Sequence, residues 1–244
     1  SLPPPPPPPV DAGPRPTSSW GLGDAFAAVG LFFAASVLAS LVAVATGGGE
    51  ITLDGPLLPL ALGFPALIQL WFVRWVADTK GDGLARDFAF RFEPRDLLVG
   101  VAVWFGALLA AGVASVVTFT LVPAEPTARL ADLATGSADE GGINAWLILL
   151  AVLAVTLVPV VEELVYRGLW WSALVKRGMD ERWVLVVTSA VFALVHFEPV
   201  RVLILFSLGL VLGWGRLHTG RLAPSIVAHA LVNAGAMIAL FAGL

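Results

Sequence analysis

Acid–base and hydrogen-bonding side chains recur in three apolar stretches of this sequence: Glu162-Glu163-Leu-Val-Tyr-Arg167, Phe192-Ala-Leu-Val-His196 and His229-Ala-Leu-Val-Asn233. An ionised side chain at bilayer depth costs about 2.5–3.5 kcal/mol on insertion scales, so such residues face a partner or a polar cavity. Their types are those that peptide hydrolysis needs: a base to activate water, a proton shuttle, and donors for the tetrahedral oxyanion. A carboxylate in apolar surroundings is a stronger base than one in water, which makes Glu162 the candidate general base. His196 can hold or co-activate the water, and His229 and Asn233 can donate to the oxyanion. The same side chains admit a rival chemistry, because two histidines and a carboxylate with an open position form a catalytic zinc set. His196, His229 and Glu162 would be the ligands. The His-Glu-x-x-His signature is absent, and the metal-free reading, with no cofactor, is the one favoured.

Helix geometry divides these residues further. Glu163 and Arg167 are four apart with the carboxylate on the N-terminal side, the favourable order for an ion pair. Glu162 is rotated by about 100° from Glu163 and shares its face with Tyr166. Glu163–Arg167 is therefore expected as a structural clamp that orients the site, leaving Glu162 free for chemistry. His229 and Asn233 are also four apart and should converge, while Phe192 should pack one turn below the His196 ring.

The elements that must carry these residues are membrane helices. Of 244 residues 58% are hydrophobic and only 13% charged, against about 45–50% and about 25% in soluble domains. The excess lies in continuous runs, which excludes barrel strands and reads as spanning helices. Seven hydrophobic helices are predicted, near 24–46, 56–77, 97–122, 144–176, 183–196, 200–217 and 223–244, forming an all-α polytopic bundle with its catalytic core in the last four. The fourth is too long to cross straight and should tilt, bend near Pro159 or break near Gly168. The fifth is short, so the link from His196 to Val200 should turn within the membrane. Residues 1–20, with seven consecutive prolines from Pro3 to Pro9 and no signal-peptide pattern, read as a disordered extended tail, or alternatively as a docking ligand for a proline-binding domain. Residues 21–244 read as one membrane domain.

With the N-terminus cytoplasmic, the inner loops hold Arg15, Lys80, Arg86, Arg91, Arg95, Lys176, Arg177, Arg182, Arg216 and Arg221, and the outer loops only Arg129 and Arg201. The positive-inside rule therefore orients the chain that way, with the C-terminus outside. A net charge of −4 gives no pointer to nucleic acid, and the absence of cysteine excludes disulfides and thiolate metal sites. The tryptophans, among them Trp146, Trp170, Trp171 and Trp183, are expected as interface anchors, and His218 as a solvated loop residue.

The three motifs, in this order and about 33 residues apart, resemble those of the CAAX-protease and bacteriocin-processing family of intramembrane peptidases, also called abortive-infection proteins. Gly209, Gly213 and Arg216-Leu-His-Thr-Gly220 resemble that family's sixth helix and following loop. The resemblance spans about Asn144 to Met237, and one departure is Tyr166, where a Phe is commoner. It implies a type II CAAX protease-like endopeptidase in a prokaryotic plasma membrane, with membrane lipids and a peptide or membrane-tethered protein tail as partners, and Glu162, Glu163, Arg167, His196, His229 and Asn233 as site residues. Eukaryotic relatives act on prenylated C-terminal tails, and prokaryotic members are linked to bacteriocin maturation, self-immunity and regulated proteolysis. The family has been described both as metal-dependent and as a metal-free glutamate peptidase.

Two other classes compete. A non-catalytic scaffold or immunity protein would use the same fold, although an intact motif set argues against it. A transporter or proton relay also uses intramembrane Glu and His, but inverted repeats with interrupted helices are not evident. A lone membrane histidine is more often an interhelical hydrogen-bond partner than a catalyst; it is the joint motif order that lifts His196 and His229 above that reading.

Overall fold

A computed structural model describes residues 18–45, 55–122 and 143–242, in which every regular element is a helix. In chain order these are α1 (Leu22–Ala45), α2 (Leu57–Lys80), the one-turn α3 (Leu84–Asp87), α4 (Arg95–Leu121), α5 (Ala145–Lys176), α6 (Glu181–Leu194), a 3-10 turn (Pro199–Arg201), α7 (Val202–Thr219) and α8 (Ala223–Ala242). The proline tract expected as a tail lies outside the described residues.

Six of these helices are long and apolar enough to cross a membrane. The seventh expected span, α6, has 14 residues and a length of about 21 Å at 1.5 Å per residue, short of a hydrocarbon core of about 30 Å. The count is therefore six, with α6 as a partial crossing. After it the chain turns at 195–201 before α7 returns alongside α6. Phe197 takes a left-handed conformation there, with φ 52°, and its exposed ring packs edge-on against Phe33 of α1 at 5.4 Å.

Helix α5 is the axis of the bundle. Asn144 caps it, its side chain accepting from the backbone of Trp146 and Leu147. Its 32 residues would reach about 48 Å if straight. It remains continuous, yet the ladder loosens to π-helical geometry at Leu153–Leu157 and Leu164–Trp170. The first loosened segment leads into Pro159, which has no N–H for the regular ladder. The second contains Gly168. From Glu163 to Leu174 every residue of α5 is buried, surrounded by α1, α2, α6 and α8.

Local interactions gather one end of the helices into a connected base. The Lys176 ammonium donates to the Ser18 carbonyl, the Ser18 hydroxyl and the Trp20 carbonyl, and lies over the Trp20 ring. Ser19 N–H donates to the Lys80 carbonyl, Lys80 pairs with Asp24, and Arg221 forms a bidentate pair with Asp96. Ser18, Ser19 and Trp20, assigned by composition to the tail, thus belong to the packed body. Trp20, Trp170 and Trp171 are in the core rather than at an interface, whereas Trp146 and Trp183 are exposed. α7 extends through Thr219, so His218 is an exposed residue of its last turn and not of a loop. The left-handed Gly220, φ 68°, ends that helix, a conformation glycine adopts without steric cost.

Candidate active site

The buried centre of the site is an ion pair on α5. Glu163 and Arg167 are both fully buried, and Arg167 Nη1 donates to Glu163 Oε1 at 2.9 Å. Removing both charges from water is costly unless further bonds satisfy them. Arg167 Nη2 donates to the Gly209 carbonyl of α7 at 2.8 Å, and its guanidinium lies 4.8 Å from the centre of the Phe192 ring. The arginine therefore ties α5 to both α6 and α7. Its Nε and Glu163 Oε2 remain buried without a hydrogen-bond partner among the described residues, the kind of exception that calls for an explanation in a native site.

His229 of α8 completes this centre. Its Nδ1 is 2.9 Å from Glu163 Oε1, and a carboxylate can only accept, so Nδ1 carries the proton. Nε2 then faces the cavity, 3.5 Å from Glu162 Oε2. Glu162 is the less buried of the two neighbouring carboxylates, 21% exposed against 0% for Glu163. They meet opposite nitrogens of one imidazole, a shared partner that the rotation between adjacent helix positions does not by itself reveal.

His196 is held by the same logic. Its Nδ1 is 2.6 Å from the Phe192 carbonyl, an acceptor, so this nitrogen also carries the proton and Nε2 is left as a lone-pair nitrogen. The Phe192 ring stands between the histidines, 4.7 Å from the His196 ring and 5.9 Å from that of His229. Tyr166 packs edge-on against the same ring at 5.4 Å. Asn233 does not share the His229 partner: its amide donates to the Ala154 carbonyl at 2.8 Å, bracing α8 against the first π-helical segment. At the rim, Glu198 and Arg201 form a partly exposed pair at 2.7 Å.

Residues 144–235 match the family model of Rce1-like type II CAAX prenyl endopeptidases. Over this segment the chain is similar to the Rce1-like family. The match takes in 92 of the 244 residues, contains all three motifs and ends just beyond Asn233. No curated protein and no solved structure matches the chain. That likeness, together with the six long apolar helices, suggests a membrane-bound protease as the coarse functional class.

Within the matched segment, two residues named from the sequence support the site in ways their positions did not reveal. Gly209 supplies the carbonyl that Arg167 needs, and a Cβ there would lie 2.9 Å from the Ser189 side chain and 3.0 Å from its Cα. Only glycine lets α7 approach α6 this closely, and the small-residue spacing of Gly209 and Gly213 is the one trace of it in the sequence. Phe192 is a platform for an arginine as well as for the histidine. Among the described residues no group of three or more His, Cys, Asp or Glu side chains is arranged to hold a metal ion.

Proposed function

We propose that this chain is an intramembrane endopeptidase that hydrolyses a peptide bond of a membrane-associated peptide or protein tail with a water activated by Glu162. The observation carrying this reading is the juxtaposition of a partly exposed carboxylate with a histidine whose other nitrogen is fixed by a buried ion pair. Glu162 takes a proton from the water as its oxygen attacks the scissile carbonyl. His196, with Nε2 free to accept, holds that water in line. The proton passes from Glu162 to the leaving amine as the C–N bond breaks, while His229 enters the step as the imidazolium, donates from Nε2 to the tetrahedral oxyanion and keeps that proton throughout. Asn233 serves as a second donor if its amide turns from the Ala154 carbonyl when substrate enters. Glu163 and Arg167 do no proton transfer; they fix the His229 ring and the spacing of three helices.

Purified wild type and Glu162→Gln in detergent, each offered a quenched-fluorescent peptide library, test the proposal. Cleavage by wild type and loss of at least about a hundred-fold in the variant is expected for a missing general base. Equal turnover by both would remove Glu162 from its role. Parallel assays with a strong chelator address the zinc alternative. Activity that survives chelation is expected, and loss restored by zinc would replace the metal-free mechanism. If neither protein cleaves any member, the scaffold reading takes precedence.

A further inference from the structure

A second recess lies apart from the catalytic side chains. α7 packs against both α4 and α6, and along this seam runs an apolar cavity of about 590 Å³ lined by Ala102 and Gly106 of α4, Leu185 of α6, and Leu210, Val211 and Trp214 of α7. Toward the base a polar hollow is lined by Asp180, Glu181, Arg182, Leu217 and His218. The two are stacked. Arg182 is one turn before Leu185 on α6, and His218 one turn after Trp214 on α7, with their rings 4.1 Å apart, so each polar residue shares a helix face with a groove residue. The hollow belongs to the first turn of α6 and the last turn of α7, where an apolar seam meets the aqueous boundary, beside the exposed Trp183.

The hollow carries both signs of charge. Glu181 and Arg182 are exposed and neither forms an ion pair among the described residues. His218 directs Nδ1 to the Trp214 carbonyl at 3.1 Å, which turns Nε2 outward. Asp180 spends one carboxylate oxygen capping α6 through Arg182 N–H and keeps the other. A ligand matching the whole recess has a long apolar chain, a phosphate, and an ammonium close to the phosphate. We propose that the α4–α6–α7 groove and the hollow beneath it bind a zwitterionic aminophospholipid, with an acyl chain in the groove, the phosphate on Arg182, and the primary ammonium on Glu181, Asp180 and the lone-pair Nε2 of His218. A purely anionic headgroup would bring its charge against two carboxylates. A quaternary ammonium offers them no N–H donor, so charge and hydrogen bonding together select the primary amine.

The test uses the full chain, delipidated in mild detergent, and native mass spectrometry with phosphatidylethanolamine, phosphatidylcholine and phosphatidylglycerol of matched acyl chains. One phosphatidylethanolamine should be retained about ten-fold more tightly than either competitor, the effect of one or two charge-assisted hydrogen bonds. Arg182→Ala should erase most of that preference. Ala102→Trp, at an exposed position of the groove wall, should lower retention of all three lipids, with gel filtration and helical circular dichroism showing the fold intact. Equal retention of the three by wild type, a preference for phosphatidylglycerol, or unchanged binding in both folded variants would overturn the proposal. Should either variant fail to fold, the selectivity of the wild type decides alone.

Discussion

Glu162 and Glu163 flank the same imidazole, yet their environments assign them different work, and substitution should separate the two. Glu163 is sealed between Arg167 and His229; truncating either member of a buried pair leaves an uncompensated charge, at a cost of about 3–5 kcal/mol. Glu163→Ala and Arg167→Ala should therefore lower the unfolding free energy by that order in detergent, with activity lost as a consequence. Glu162 touches His229 only at 3.5 Å, and Glu162→Gln should change stability by less than about 1 kcal/mol. Equal destabilisation by Glu162→Gln and Glu163→Ala would mean that both carboxylates are structural. A third carboxylate, Asp87 of α3 outside the spans, is buried; its Oδ2 accepts from Asp82 N–H at 2.6 Å and its Oδ1 has no partner among the described residues. Burial raises its pKa above 3.8, with the charge of Asp82 adding in the same sense and the neighbouring hydrogen bonds opposing. The folded state thus holds the proton at a pH where the unfolded chain has lost it. That contribution is complete below 3.8 and disappears as pH rises through the folded value. Melting temperature should rise on acidification across this window, and Asp87→Asn should flatten the response.

At the scale of elements, close approach of helices sets the site, and two glycines of α7 test how close. A Cβ at Gly209 would meet backbone as well as side-chain atoms of Ser189, at 3.0 and 2.9 Å, whereas at Gly213 it would meet the tip of Leu185 at 2.5 Å. Backbone cannot yield cheaply and a leucine terminus can. Gly209→Ala should cost about 1–3 kcal/mol, the range for overpacking, and should depress turnover by shifting the carbonyl that holds Arg167. Gly213→Ala should be milder in both respects. Comparable effects at the two positions would argue that α6 and α7 are not held at a fixed distance. The long spans were legible in the sequence because a run of about twenty apolar residues has few structural solutions other than a membrane helix. The expected helix at 97–122 stands at Arg95–Leu121 and that at 56–77 at Leu57–Lys80. The loosened turns of α5 were less so. Pro159 and Gly168 marked where the helix would depart from regularity, but a one-residue change of hydrogen-bond register without a break has no compositional mark. The partner of His229 was not legible either, because it depends on how α8 is rotated against α5, and both Glu162 and Glu163 were within its reach. Nor could Trp20 and Trp171 be told from interface anchors, since an indole suits a core and a boundary equally well.

For the whole molecule, one end of the bundle concentrates positive charge, and this fixes the orientation to be tested. Ser18, Lys80, Lys176 and Arg221 are joined at that end through Lys176 to Ser18, Ser19 to Lys80, and Leu222 to the Ala89 carbonyl. Arg86 and Arg91 lie in the segment between α2 and α4 that this base contains, and Arg95 begins α4. The partly exposed Glu198–Arg201 pair marks the turn at the opposite end, beyond α6. Lysine and arginine near span ends are retained on the cytoplasmic side, so the expected orientation has the base inside and the turn at 195–201 toward the outside. The count of crossings does not disturb this assignment. α6 is short, yet it runs from the base toward the far end and α7 returns, so α8 starts at the base whether or not α6 completes a crossing. The chain contains no cysteine, so single cysteines can report the topology without background. In intact cells, Glu198→Cys should react with a membrane-impermeant maleimide, while Ser19→Cys and Gly220→Cys should react only after the cells are opened. Labelling of the two base positions in intact cells, with Glu198→Cys protected, would invert the molecule. The substrate tail would then approach Glu162 from the other leaflet, and a search for substrates would turn from cytoplasmic tails to exported peptides.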